Sequence, residues 1–387
     1  MTRTYLDHAA TTPMVPEAVE AMSRELARVG NASSLHGSGR AARRVVEEAR
    51  ESIAACVGAQ PAELIFTSGG TESDNLAVKG AYWSQAPRGR TRLVISAVEH
   101  HAVLDSAGWL AQAAGATTQL VPVDKQGRLD RQALAEAIDD TTALVSVMWA
   151  NNEVGTRQPV ELAAALATQR GALSHSDAVQ AVGHLNVDFG RSGLDLMTFT
   201  AHKLGGPYGI GALLARREVT LTATQHGGGQ EREVRSGTFD VAAAAGFAAA
   251  LEVAVRVRGQ EEARIRALRA DLIGAVRAAV GDVVLHGTID QADSLPGVTN
   301  LGFPGCRSDS LLMLLDEAGI DCSAGSACSS GVPEPSYVLS AMGLPAEAAQ
   351  SAVRFSLGHS STGADVQALA AALPAAVQRA RAAAAYA

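Results

Sequence analysis

Between residues 60 and 215, short β-branched apolar runs alternate with stretches whose apolar residues recur at helical spacing. The runs 63–67, 93–97, 118–121, 143–148, 173–176, 196–200 and 211–214 read as strands, and helices fit between most of them. This alternation predicts an α/β fold: a mainly parallel, seven-stranded sheet between helices, with functional groups at strand ends where loops meet helix N-termini. From 240 to about 280 the pattern is long and helical, punctuated by Arg264, Arg266, Arg269 and Arg277, and reads as the way out of the first domain. Beyond it, strands are predicted at 283–286, 298–303 and 353–357 and helices at 309–317, 335–341 and 364–385, forming a smaller α+β domain. Between Asp321 and Pro335 runs Cys-Ser-Ala-Gly-Ser-Ala-Cys-Ser-Ser-Gly-Val-Pro-Glu, residues too small to fill a core or hold a regular element. A mobile loop carrying Cys328 is predicted there.

Composition narrows the class. At 387 residues the chain is long enough for two or three domains at roughly 150 residues each. Nearly half of it is hydrophobic, with scarce aromatics and scattered glycines, as in a large α/β enzyme. A formal charge of −8 gives no footprint for direct binding to nucleic acid or an anionic membrane. The longest apolar stretch, 241–251, is cut off by Glu252 and is far shorter than the roughly 20 residues a membrane span needs. Met1 to Pro13 has one Arg, an early Asp7 and no apolar run, so neither a signal nor a transit peptide is expected, and the predicted location is cytoplasmic. The four cysteines, Cys56, Cys306, Cys322 and Cys328, form no disulfide framework and no C-x-x-C pair. Any important cysteine acts alone, and no metal site is expected.

The candidate chemistry collects at strand ends. Thr198-Phe-Thr-Ala-His-Lys-Leu-Gly-Gly takes a strand through a hydroxyl, a histidine and a lysine into glycine-rich backbone. Lys203 there is a candidate Schiff-base lysine. An amine attacks an aldehyde only when neutral, so Lys203 must sit where desolvation or neighbouring cations lower its pKa. Ser68-Gly-Gly-Thr-Glu-Ser-Asp-Asn follows a strand and opens a helix, so its N–H groups and the Thr71 hydroxyl can bind a phosphate at the positive helix end. Asp177, closing another strand, can pair with a protonated pyridine nitrogen and make the ring an electron sink. Gln180 can hydrogen-bond the ring's phenolic oxygen, and His100 can stack on the ring and move protons. Singly, each reads more simply as a solvated lysine, a helix cap, a surface acid or a satisfied histidine. Their joint occurrence along one sheet favours a pyridoxal-phosphate site.

The sequence closely resembles the cysteine desulfurases of the class V aminotransferase family, specifically group I, which serves iron–sulfur cluster assembly. The resemblance rests on segments running almost end to end: Tyr5-Leu-Asp-His-Ala-Ala-Thr-Thr-Pro, Gly30-Asn-Ala-Ser-Ser-Leu-His, Phe66-Thr-Ser-Gly-Gly-Thr-Glu-Ser-Asp-Asn, Asn151-Asn-Glu-Val-Gly, Asp177-Ala-Val-Gln, His202-Lys, His226-Gly-Gly-Gly-Gln-Glu, Arg235-Ser-Gly-Thr, Gly325-Ser-Ala-Cys and Val353-Arg-Phe-Ser-Leu-Gly. It implies a fold-type I enzyme with a large pyridoxal-phosphate domain at 16–262, and a small domain at 1–15 and 263–387 carrying the cysteine loop. It implies Lys203 bonded to the cofactor, His100 stacked on the ring, Asp177 at its nitrogen, and Asn152 with Gln180 near its oxygen. Gly70, Thr71, Thr200 and His202 would hold the phosphate. Thr238 would reach the phosphate of the neighbouring subunit, making a homodimer part of the site. Arg354 would clamp the carboxylate of L-cysteine, with Asn31 and Asn152 assisting. The implied reaction yields alanine and a persulfide on Cys328, passed on to acceptor proteins such as an iron–sulfur scaffold. No Lys, Arg or His lies in 322–336 to depress the Cys328 pKa, so its thiolate is expected to form only at the cofactor, with His100 as proton acceptor.

Three positions depart from the commonest family pattern: Ala32 after Asn31, Ala324 and Thr200. The chain also ends soon after its last helix, without the longer tail some group I members use to dock a scaffold. Cys56 reads as a buried small hydrophobe, Cys306 as an exposed bystander and Cys322 as an unreactive start to the loop. Two other readings stay open at this level. One keeps the fold and makes the chain an aminotransferase or a selenocysteine lyase; the other is a sulfur-handling or metal-binding scaffold using Cys306, Cys322 and Cys328.

Overall fold

The computed structural model describes residues 3–325 and 335–384. Strand β1 (Thr4–Tyr5) opens the chain, followed by helices α1 (Pro16–Leu26) and α2 (Gly37–Cys56). The large sheet then unfolds in order: β2 (Leu64–Thr67), α3 (Gly70–Gln85), β3 (Arg92–Ser96), α4 (His101–Ala114), β4 (Thr117–Val121), α5 (Arg131–Ala137), β5 (Thr142–Ser146), α6 (Val160–Gln169), β6 (Leu173–Asp177), α7 (Phe189–Ser192), β7 (Leu196–Thr200) and β8 (Gly211–Ala215). Its strand order is β2-β8-β7-β6-β5-β3-β4. All seven strands were expected, and the sheet is mainly parallel. The exception is β8, which runs antiparallel to both β7 and β2. The tight connection 201–210 explains this, because a parallel return needs a crossover of a dozen or more residues.

The sheet is covered on both faces. On one lie α1, α2 and the start of the next helix, enclosing Val46, Ile53, Phe66, Val145, Phe199 and Phe247. On the other, Leu76, Tyr82, Val103 and Leu110 pack on Ile65, Leu93 and Leu213. Strand β2 enters α3 over β8 at such close quarters that a Cβ on Gly211 would lie 2.8 Å from the Gly69 backbone. That crossing fixes where the first turn of α3 points.

Helix α8 (Val241–Val280) leaves the sheet as a single 40-residue rod. At 1.5 Å per residue it is about 60 Å long. Its first half buries Ala243, Phe247 and Leu251 in the sheet's core, and its second half buries Ile265, Leu272 and Val276 in a separate one. Around that second core lie β9 (Val284–His286), β10 (Val298–Gly302), α9 (Ser308–Glu317), β11 (Ile320–Asp321), α10 (Tyr337–Ala341), α11 (Ala346–Gln350), β12 (Ala352–Ser356) and α12 (Gly363–Ala384). Strands β12, β10 and β9 form an antiparallel sheet.

The N-terminus joins the two cores. β1 pairs in parallel with β11, Leu6 N–H donates to Asp321 O, and Ser356 N–H donates to Leu6 O. Leu6 is buried in the smaller core, whereas Ala9 is already in the larger one.

Candidate active site

Most of the chemistry-bearing residues surround one cavity at the C-terminal edge of the parallel strands. Gly70, Thr71, His100, Asn152, Asp177, Gln180, Thr200, His202, Lys203 and Arg354 all line it. Lys203 sits in a single helical turn that follows β7. Its Nζ donates to Ala9 O at 2.7 Å and Ala10 O at 2.8 Å. Burial, reinforced by Arg354, pushes the amine down to about 8 against the opposing pull of Asp177 and Asp7. A substantial neutral fraction is thus available near neutral pH, the condition the sequence reading demanded.

Asp177 closes β6 and accepts from Val179 N–H at 2.9 Å. Burial raises its pKa, while His100 and Lys203 favour its charged form. Asp74, one turn into α3, is equally enclosed, and its Oδ1 has no hydrogen-bond partner. Ligand atoms of Asp74, His100 and Asp177 lie within 4.8 Å of one another, the one grouping of metal-ligand character among the described residues. Burial raises both carboxyl pKa values and lowers that of His100, so the imidazole is neutral, while His100 and Lys203 pull Asp177 back towards its charged form.

His100 caps α4, its Nδ1 accepting from Ala102 N–H at 3.1 Å. A neutral ring so engaged carries its proton on Nε2. With its proton there, the ring can accept at Nε2 only after giving that proton up. Thr200 Oγ1 donates to Ile210 O at 3.0 Å, so its hydroxyl must rotate before it can donate to an anion. Gln180 Nε2 donates to Ala9 O at 2.8 Å, which keeps one amide hydrogen for another acceptor. His202 is pushed down to about 4 by burial and by Lys203.

Arg354, on β12, donates through Nη2 to Asp7 at 2.8 Å and through Nη1 to Asn152 O at 2.9 Å. Its Nε is buried without a partner, as is Asn152 Oδ1. Asp7, Asp74 and Glu153 were all missed as site residues. Each stands inside a quoted motif, but long-range packing buries Asp74 and Glu153 and half-buries Asp7. Asn31 and Thr238 are exposed and do not line the cavity. Asn31 is turned into its own loop, accepting from Ser33 N–H at 2.8 Å. Cys328 and the loop predicted around it lie outside the described residues.

The sequence matches the class-V aminotransferase family over residues 4–369. It is 55% identical over 384 residues to an IscS-like cysteine desulfurase of Mycobacterium tuberculosis, covering 98% of each chain. The chain belongs to the cysteine desulfurases of the class-V aminotransferase family. A cysteine desulfurase IscS of Dictyoglomus turgidum is 42% identical, over 92% of this chain and 89% of its own. Among solved structures, a NifS-like protein superposes on this desulfurase with a TM-score of 0.88 at 33% identity, over 100% of both chains. SspA in complex with cysteine superposes with a TM-score of 0.78 at 30% identity, covering 92% and 98%.

The described cysteines of the desulfurase are poor nucleophiles. Cys306, expected to be exposed, is instead 6% exposed, packed in the smaller core with Sγ towards Val377 O. Cys322 is pushed up to about 12, chiefly by burial, and burial also raises Cys56. Among the described residues no helix is long and apolar enough to cross a membrane.

Proposed function

We propose that the chain converts L-cysteine to L-alanine using pyridoxal 5′-phosphate bound at Lys203, holds the sulfur as a persulfide on Cys328, and passes it to acceptor proteins. The observation that carries this reading is a buried lysine amine at about 8 sharing one cavity with a buried acid and a buried arginine. The cavity suits the cofactor: an amine for the aldehyde, the orphan N–H groups at the start of α3 for the phosphate, and Asp177 for the ring nitrogen. When bound, the cofactor supplies an electron sink that makes the Cα proton of an amino acid removable.

The protein's own groups do the rest. Gly70, Thr71, His202 and Thr200 surround the anion. Arg354 exchanges Asp7 for the substrate carboxylate, so an existing ion pair keeps the guanidinium oriented until substrate arrives. Lys203 would hold the cofactor, and its amine, when free, would be the base for the Cα proton; His100, with Nδ1 engaged by Ala102 N–H, holds a proton at Nε2 in the same cavity. Cys328, once deprotonated, attacks the substrate sulfur as a thiolate; the S–S bond forms as the C–S bond breaks, the C–S electron pair stays on the substrate carbon, that carbon takes up a proton, and alanine leaves.

Residues 16–262 are read as the cofactor domain, and 1–15 with 263–387 as the domain that brings Arg354 and Cys328, because α8 serves two separate cores. Thr238, exposed here, is assigned to the phosphate of a second copy in a homodimer. Incubation with cysteine followed by peptide mass mapping tests the whole reading. One added sulfur on Cys328 with matching alanine is expected; cysteine turned over equally well by Cys328→Ala would replace it with a lyase, if alanine is still the product, or with an aminotransferase, if it is not.

A further inference from the structure

Glu153 is a buried carboxyl that neither cofactor nor substrate chemistry uses. It stands in the turn after β5, which Asn151 makes rigid: Asn151 Oδ1 accepts from Glu153 N–H at 2.8 Å and Val154 N–H at 2.9 Å, and its Nδ2 donates to Val98 O at 3.0 Å. Glu153 is 1% exposed, lines the cavity, and leaves Oε1 without a hydrogen-bond partner. A buried carboxyl held in a rigid turn with one free oxygen is costly unless it organises something.

What it touches are two pieces of chain distant from its own. Ser336 Oγ donates to Glu153 Oε2 at 2.5 Å, and the same oxygen accepts from Leu339 N–H at 3.1 Å to cap α10. Gly325, at φ +89°, passes so close that a Cβ there would lie 3.1 Å from both Cγ and Oε2 of Glu153. The sequence between these contacts, 326–335, contains Cys328. Each contact has its own support. Ser323 N–H and O pair with the backbone of Arg354, and Tyr337 donates to Glu99 O at 2.6 Å while Val338 and Leu339 pack on Val98, Met148 and Val154.

Resting on the desulfurase reading above, we propose that Glu153 is a positioning residue: its one carboxyl fixes Gly325 and Ser336, the described residues on either side of the sequence that contains Cys328, relative to each other and to Arg354, and the persulfide step depends on that anchoring. Burial pushes the group up to about 7, with Ser336, Arg354 and His101 drawing it down. Tyr337, from α10, and Glu99, before α4, face the same region.

The test uses the cofactor-loaded enzyme in single turnover, following the visible band on cysteine addition, alanine release, and persulfide on Cys328 by peptide mass. Glu153→Ala keeps the band and its response to cysteine but slows persulfide formation by about tenfold or more, as a small misplacement of a reacting group does. Glu153→Gln, which can still accept from Ser336, keeps most of the rate but loses the inflection near pH 7 in the persulfide step. Persulfide formation in Glu153→Ala within about twofold of wild type overturns the inference. If that variant does not fold, Ser336→Ala decides the matter by the same readout, an unchanged rate again overturning it. Failure of the desulfurase reading would look different, since the unaltered enzyme would then place no sulfur on Cys328.

Discussion

Replacing Asp74 by asparagine tests the electrostatics beneath the cavity directly. Asp74 is 1% exposed; Asp177 and Glu99, both acidic, face it, and the Thr198 hydroxyl is its one stabilising hydrogen bond. His175 Nε2 lies 3.6 Å away but offers no charge, because burial pushes that ring down to about 3. The Asp74 pKa is therefore raised well above its ordinary value, by burial first and Asp177 second. An unfolded chain releases this proton near pH 3.9 and the native one keeps it, so the native state binds more protons. Stability contributed here is fully present below the unfolded value and is lost as pH rises towards the folded one, at about 1.4 kcal/mol per pH unit. Asparagine mimics the protonated acid and removes that slope. Urea unfolding of the cofactor-free protein, wild type against Asp74→Asn, at half-unit steps from pH 4.5 to 8, should show the variant gaining on wild type by about that amount per unit. Parallel profiles would mean that native Asp74 is ionised and would refute the account.

Cofactor uptake by the free enzyme should speed up with pH about a midpoint near 8, where Lys203 becomes neutral, followed by the growth of the visible band. A midpoint near 10.4, that of an ordinary lysine, would show the amine to be solvated. Lys203→Ala should bind pyridoxal phosphate without covalent attachment, so that borohydride reduction followed by intact mass detects no adduct. Arg354→Lys keeps the charge but loses the fork shared between Asp7 and Asn152, and kcat/KM for cysteine should fall by about tenfold to a hundredfold, mainly through KM. Arg50→Ala strands Glu231, held at 2.7 and 2.9 Å in a buried pair, and should cost about 3–5 kcal/mol in thermal or urea unfolding.

The strands of the large sheet were legible because both faces are covered, which leaves compact β-branched runs such as 143–148 bounded by polar turns. Lys203 stood out only in company, because Thr71, His100, Asp177 and Gln180 recur at strand ends of the same sheet, and the fold brings all of them to one cavity. Helices α1 and α2 were not assigned although both are amphipathic; part of their buried face is small residues, such as Ala18, Ala21, Ala42 and Ala49, which mark it by spacing and not by bulk. β1 and β11 have two residues each, too short for any period. Asp7, Asp74 and Glu153 look like ordinary surface or cap acids in sequence. Asp74 is buried by the packing of α3 on the sheet, and Glu153 and the partly buried Asp7 are engaged by Ser336 and Arg354 far along the chain, which is a property of no local window.

The threading of the N-terminus between the cores has a consequence for how the molecule is made. Tyr5 to Ala10 are synthesised first, yet their partners Asp321, Arg354 and Ser356 emerge almost last. The carbonyls that hold Lys203 therefore cannot take their final place until translation is nearly complete, the costly long-range closure that makes such topologies slow. A nascent chain can build its sheet early and remain chemically inert. Removing the first ten residues would take away the carbonyls that hold Lys203, the carboxylate that holds Arg354, and Leu6 from the smaller core.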